Sequence, residues 1–164
     1  MAQISDTFIN SLEFAREKRR SAGSFPVFSL SRLADMLVED GSSLSWQVTG
    51  ECDADLKPYL LIEVAGELQL KCQRCLQALA YRLKINSCLQ LVPEGAAWPD
   101  EDLEDDRIDP IAASDNQSVL ALVEDEVLLA LPIAPRHQSC ELPAYDDGST
   151  LASPFAKLAK LKKH

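Results

Sequence analysis

The chain has 164 residues, 46% of them apolar, and a formal net charge of −10. That length suits one domain able to bury a core without staples, and that composition excludes wholesale disorder. The charge disfavours non-specific nucleic-acid binding over the whole surface, although screening over about 10 Å leaves room for a local basic patch.

No run approaches the ~18 apolar residues of a membrane span. Met1 to Asp6 carry neither the basic start nor the apolar block of a secretory signal. The expectation is a cytoplasmic protein with no membrane partner. In that reducing compartment the five cysteines are thiols or metal ligands rather than disulfides.

Ile4 to Arg20 reads as a helix, with Ile4, Phe8, Leu12 and Ala15 near helical spacing and Gly23 as its breaker. Its end holds Arg16, Lys18, Arg19 and Arg20, cations that suit the carbonyl end of the dipole. They are either a solvated helix end or a contact for RNA phosphate or an acidic partner. Phe25 to Phe28 is a short extended piece around Pro26. Ser29 or Ser31 then caps a second helix carrying Leu33, Met36 and Leu37 and stopping at Asp40-Gly41.

The clearest signal follows. Leu44, Trp46, Val48, Gly50 and Cys52 alternate with Ser45, Gln47, Thr49 and Glu51, the period of a strand with one buried face. The pattern resumes from Leu60 to Cys72, where Gly66 marks a bulge or bend. It returns with Leu79, Tyr81, Leu83, Ile85, Leu89 and Leu91 facing inward. Three such segments with short gaps predict an antiparallel meander. The parity places Cys72 inward at a strand end and Cys75 in the connection. Cys52 falls in the core and Cys88 is half-buried.

Residues 93–116 read as an acidic mobile loop, since Pro93 to Asp109 holds eight acids against Arg107. It is a solvated stretch or a contact for a basic protein. Ser118 to Leu131 is a strong helix, apolar nearly all round and ended by Pro132. Its consecutive Glu124, Asp125 and Glu126 splay about 100° apart and form no catalytic dyad. At least one is partly buried and needs a cation, for which Arg74 and Arg136 are candidates. A stiff loop follows from Pro132 to Cys140. Residues 145–164 form a flexible basic tail in which Lys157, Lys160, Lys162 and Lys163 are candidates for RNA or partner contact.

Cys72-x-x-Cys75 and His137-x-x-Cys140 together supply three sulfurs and an imidazole, the donor set of a closed tetrahedral zinc site. Lys71, Arg74 and Arg136 nearby favour thiolates. Two other readings stand beside it. The cysteines can serve as small hydrophobes, or as a redox pair, although a thioredoxin-like pair expects a helix after a parallel strand.

Several stretches in order carry a family resemblance. They are Leu70-Lys71-Cys72-Gln73-Arg74-Cys75-Leu76, the helix Leu122 to Pro132, Pro135-Arg136-His137 with Cys140, and the tail Pro154 to Lys162. Together they resemble the bacterial large ribosomal RNA subunit accumulation protein family, YceD. The resemblance implies a role in synthesis, processing or stability of 23S ribosomal RNA. The partners would be precursor rRNA, a ribosomal protein or a processing enzyme, and the family has no established catalytic activity.

The fold expected is α+β: an antiparallel sheet of at least three long strands, able to curl into a partial barrel, covered by helices. The function expected is that of a non-enzymatic ribosome-biogenesis factor, possessing a structural zinc site if the cysteines bind metal. The competing class is a metal-dependent nuclease or thiol oxidoreductase in RNA metabolism. A nuclease would need clustered carboxylates around open metal positions, and the acids here sit in a loop or splay round a helix.

Overall fold

The period-two stretches become three long strands because each has one apolar face to bury. A computed structural model of the chain describes residues 7–38, 41–99 and 107–143. The elements are β1 (Phe8–Ile9), α1 (Ser11–Arg16), β2 (Arg20–Pro26), β3 (Ser43–Cys52), β4 (Pro58–Lys71), β5 (Ala78–Val92), β6 (Ile108–Ala112), β7 (Gln117–Ser118) and α2 (Val119–Ala130). The main sheet has the order β2-β3-β4-β5-β6, and β1 pairs with β7 apart from it. Among the described residues, no helix is long and apolar enough to cross a membrane.

The fold class is α+β as expected, but the sheet is mixed and open. β2 to β5 are antiparallel to their neighbours, whereas β6 runs parallel to β5. A parallel pair needs a crossover of a dozen or more residues, and the acidic stretch after Val92 is that crossover. Part of the expected 93–116 loop is therefore strand. Pro110 sits within β6 and is tolerated because β6 is an edge.

One face of the sheet forms the core. Leu44, Val48, Leu60, Ile62, Leu68 and Leu70 are wholly or almost wholly buried there. They meet Val119, Val123 and Val127 of α2 and Phe14 and Ala15 of α1 in one cluster. Trp46 stacks on Phe25 with ring centroids 5.3 Å apart. Gly23, expected to break a helix, lies in β2 opposite Trp46, where an added Cβ would come within 3.0 Å of the indole.

The N-terminal helix is shorter than the spacing predicts. Residues 1–6 lie outside the described part, and Phe8–Ile9 is drawn into pairing with Gln117–Ser118. Asn10 caps α1, its side-chain oxygen accepting from the Glu13 N–H at 3.0 Å. Lys18 then takes φ 51°, and the chain turns into β2. The close approach of α1 to β3 needs Gly50, where a Cβ would lie 2.3 Å from the Phe14 carbonyl oxygen. Gly66 answers a similar need beside Leu44, and the β4–β5 register runs through it without a bulge.

The second expected helix is instead two short 3₁₀ turns, Val27–Ser29 and Ser31–Leu33. After them the chain runs beside the end of β4. Val38 donates to Gln69 O at 2.7 Å, and Lys71 donates to Met36 O at 2.8 Å. Arg32 anchors these turns to α2, with Nε 2.7 Å from Glu124 and Nη1 2.6 Å from Asp125. The cation that the buried acid requires is thus Arg32, not Arg74 or Arg136. Glu126 bonds the Ser87 hydroxyl.

Candidate metal centre

The centre is built by one hairpin turn and one loop. β4 delivers Cys72 on its inward parity, and that side chain is fully buried. The turn closes as the Cys72 N–H donates to Gln77 O and the Leu76 N–H to Cys72 O, both at 2.9 Å. Leu76 adopts φ 63°, which reverses the chain into β5. Beyond α2, Pro132 ends the helix and the loop runs back to the turn. There the Gln73 N–H donates to Pro135 O at 2.8 Å.

This brings together the four residues singled out by spacing. One donor atom from each of Cys72, Cys75, His137 and Cys140 lies within 4.8 Å of the others. Cys72 Sγ is 3.8 Å from Cys140 Sγ, and Cys75 Sγ is 3.3 Å from His137 Nδ1. Zinc–sulfur bonds of about 2.3 Å and zinc–nitrogen bonds of about 2.0 Å, set tetrahedrally, give edges of about 3.8 and 3.5 Å. The donor set therefore fits a four-coordinate ion with little movement. Cys52 lies elsewhere, its Sγ 3.7 Å from Ala15 O.

The surroundings orient the imidazole and favour the thiolate at Cys72. His137 Nε2 is 3.0 Å from Ala78 O. A hydrogen bond to this carbonyl requires the proton on Nε2, which leaves Nδ1 as the ring atom facing Cys75 Sγ. Arg74 donates from Nε to Cys140 Sγ at 2.9 Å and from Nη2 to His137 O at 2.9 Å. Burial pushes the Cys72 thiol up, but the backbone N–H groups of Cys75, Arg74 and His137 outweigh it and hold the group at about 5. At Cys75 the Gln77 N–H favours the thiolate, yet burial and the sulfurs of Cys72 and Cys140 together push the thiol up. Three sulfurs in one pocket repel each other's charge, a conflict that a cation between them relieves.

The role of Arg74 was only partly legible. Its place between the two cysteines suggested a nearby positive charge. Its bridge to the loop carbonyl depends on folding. The N-terminal basic candidates lie away from the centre: Arg16 at the end of α1, Lys18 and Arg19 after it and Arg20 at the start of β2 are all exposed. Arg19 lies 3.7 Å from Glu17 and 5.9 Å from the Phe14 ring, and Arg20 bonds Gln47. Lys157, Lys160, Lys162 and Lys163, with the rest of the 145–164 tail, lie outside the described residues.

Fold and site together define an α+β protein in which a Cys/His cluster ties the loop after a buried helix to a sheet hairpin. The chain belongs to the family described as large ribosomal RNA subunit accumulation protein YceD, whose model matches residues 60–162 and so takes in both halves of the cluster. It is also similar to a Haemophilus influenzae protein named large ribosomal RNA subunit accumulation protein YceD. The two are 29% identical over 171 aligned positions, covering 94% of each chain. No solved structure matches.

Proposed function

We propose that this chain supports accumulation of 23S rRNA by binding rather than by catalysis, on a scaffold closed by a structural zinc ion held by Cys72, Cys75, His137 and Cys140. Its partner is precursor rRNA, a ribosomal protein or a processing enzyme. Membership of a family named for large-subunit rRNA accumulation supports the role. The convergence of the four donor atoms carries the zinc assignment. Sulfur-rich tetrahedral donor sets suit zinc. Four protein ligands leave no position for a metal-bound water, so the ion contributes folding energy.

The acids of α2 support binding over hydrolysis, because Glu124 and Asp125 hold Arg32 and Glu126 faces Ser87. The test is genetic. Cells lacking the chain should show a lowered 23S to 16S rRNA ratio, restored by the wild-type chain. Restoration should fail with Cys72→Ser and persist with Glu124→Gln/Asp125→Asn. An unchanged ratio in the deletion would refute the role, and loss of rescue by the acid variant at normal protein level would favour catalysis.

A further inference from the structure

The acidity of the chain is unevenly placed. From Leu68 to Val92 the sequence holds Lys71, Arg74, Arg82 and Lys84 and no acid, in a chain with 26 acids. Its cations, from Lys71 to Lys84, lie in the half of the β4–β5 hairpin that ends in the Cys72–Cys75 turn. Lys71 pairs with Ala78, Glu67 with Arg82 and Ala65 with Lys84. The alternate residues Leu68, Leu70, Leu83 and Ile85 are buried, so Lys71, Arg82 and Lys84 share the outward face. All three are exposed. The Gln73–Pro135 hydrogen bond brings the backbone before exposed Arg136 to the turn at the end of this hairpin. Glu67, opposite Arg82, and Glu63, beyond Ala65 on the same outward face, flank Lys84 in the register, and Glu141 follows Cys140 in sequence.

We propose that this outward corner, comprising Lys71, Arg82, Lys84 and Arg136, binds the phosphate backbone of structured RNA. The inference rests on the rRNA role proposed above. Its chemistry is that of a local positive field on an acidic protein, which attracts a polyanion while the remaining surface repels it. Exposed Ala65, Ala78 and Ala80 lie among the cations and keep the face flat enough for a backbone to approach. The strand pair between Lys71 and Lys84 presents no outward aromatic ring, since Tyr81 is on the inward parity. Recognition is therefore through phosphate rather than by stacking of unpaired bases.

The test is fluorescence anisotropy of a labelled 23S rRNA transcript titrated with the zinc-loaded full chain over a range of salt. Replacing Lys71, Arg82 and Lys84 together by Glu should lower affinity about tenfold or more. The corresponding Gln variant guards against misfolding. It should reduce the slope of log affinity against log salt by about 0.7–0.9 for each phosphate that the variant no longer neutralises. Lys57→Glu, at the opposite end of β4, should bind as wild type. Wild-type affinity and slope in both corner variants would overturn the proposal. So would absence of rRNA binding by the wild type, or weakened binding confined to variants of Arg16, Arg19 and Arg20. A ribosomal protein released by the corner variants while RNA binding stays constant would also overturn it. The same variants placed in deletion cells separate the two levels. Restored 23S rRNA with unchanged RNA affinity removes this surface and leaves the biogenesis role standing. A deletion strain with normal 23S rRNA removes the role itself.

Discussion

At the scale of single residues, two acids on α2 have opposite fates. Glu124 is buried but fully engaged, accepting from the Arg32 backbone N–H at 2.8 Å and from its Nε at 2.7 Å. Arg32→Ala should lower the midpoint of urea unfolding, because it leaves the buried Glu124 carboxylate without its cation. Among the described residues Glu126 bonds the Ser87 hydroxyl, and burial first, then the nearby Asp109 and Asp125 charges, push its carboxyl above the ordinary range despite that bond. The folded state then binds the proton more tightly than the unfolded chain does. Stability from this group is complete below the unfolded carboxylate pKa of about 4.3 and is lost as pH rises through the raised value. Glu126→Gln should therefore be neutral at low pH and stabilising at neutral pH. Unfolding curves at both pH values check the sign, and a variant less stable than wild type at neutral pH would contradict it.

At the scale of elements, the long strands were legible because alternation needs only local residues to declare a buried face. Leu44 to Cys52, Leu60 to Cys72 and Leu79 to Leu91 correspond to β3, β4 and β5 within a residue or two at most ends. The elements misread were those decided by distant partners. Ile4 to Arg20 has helical spacing, yet pairing to Gln117–Ser118 claims Phe8–Ile9, and only the segment after Asn10 is helical. β6 was hidden because Pro110 argues against a strand and the acids before it argue for a loop. The spacing of Cys72, Cys75, His137 and Cys140 singled out four residues that the fold does bring together, whereas Arg32 carries no local sign that Glu124 lies across from it. Gly50 shows how packing of α1 on β3 depends on one missing methyl group. Gly50→Ala should cost about 1–3 kcal/mol by urea unfolding, because the clash is with backbone and cannot be relieved by a rotamer. Wild-type stability in that variant would show that α1 is free to shift.

At the scale of the whole molecule, the cluster joins the sheet to the loop after α2. Without it, the loop from Pro132 to Cys140 keeps the Gln73–Pro135 bond, the Arg74 bridge and the His137–Ala78 contact as its described ties to the hairpin. Removing zinc with a strong chelator should therefore speed proteolysis of that loop while β3 to β5 remain protected. Equal cleavage rates with and without chelator would show that the loop holds without the ion. The rRNA role and the basic corner both presuppose that this end of the molecule is fixed. The most direct test is elemental analysis of the full chain purified without chelator. About one zinc per chain is predicted, falling to background in Cys72→Ser and Cys140→Ser. A wild-type protein that is folded, with its thiols reduced, and carries no more zinc than those variants would show that the hairpin and the loop are not clamped by metal.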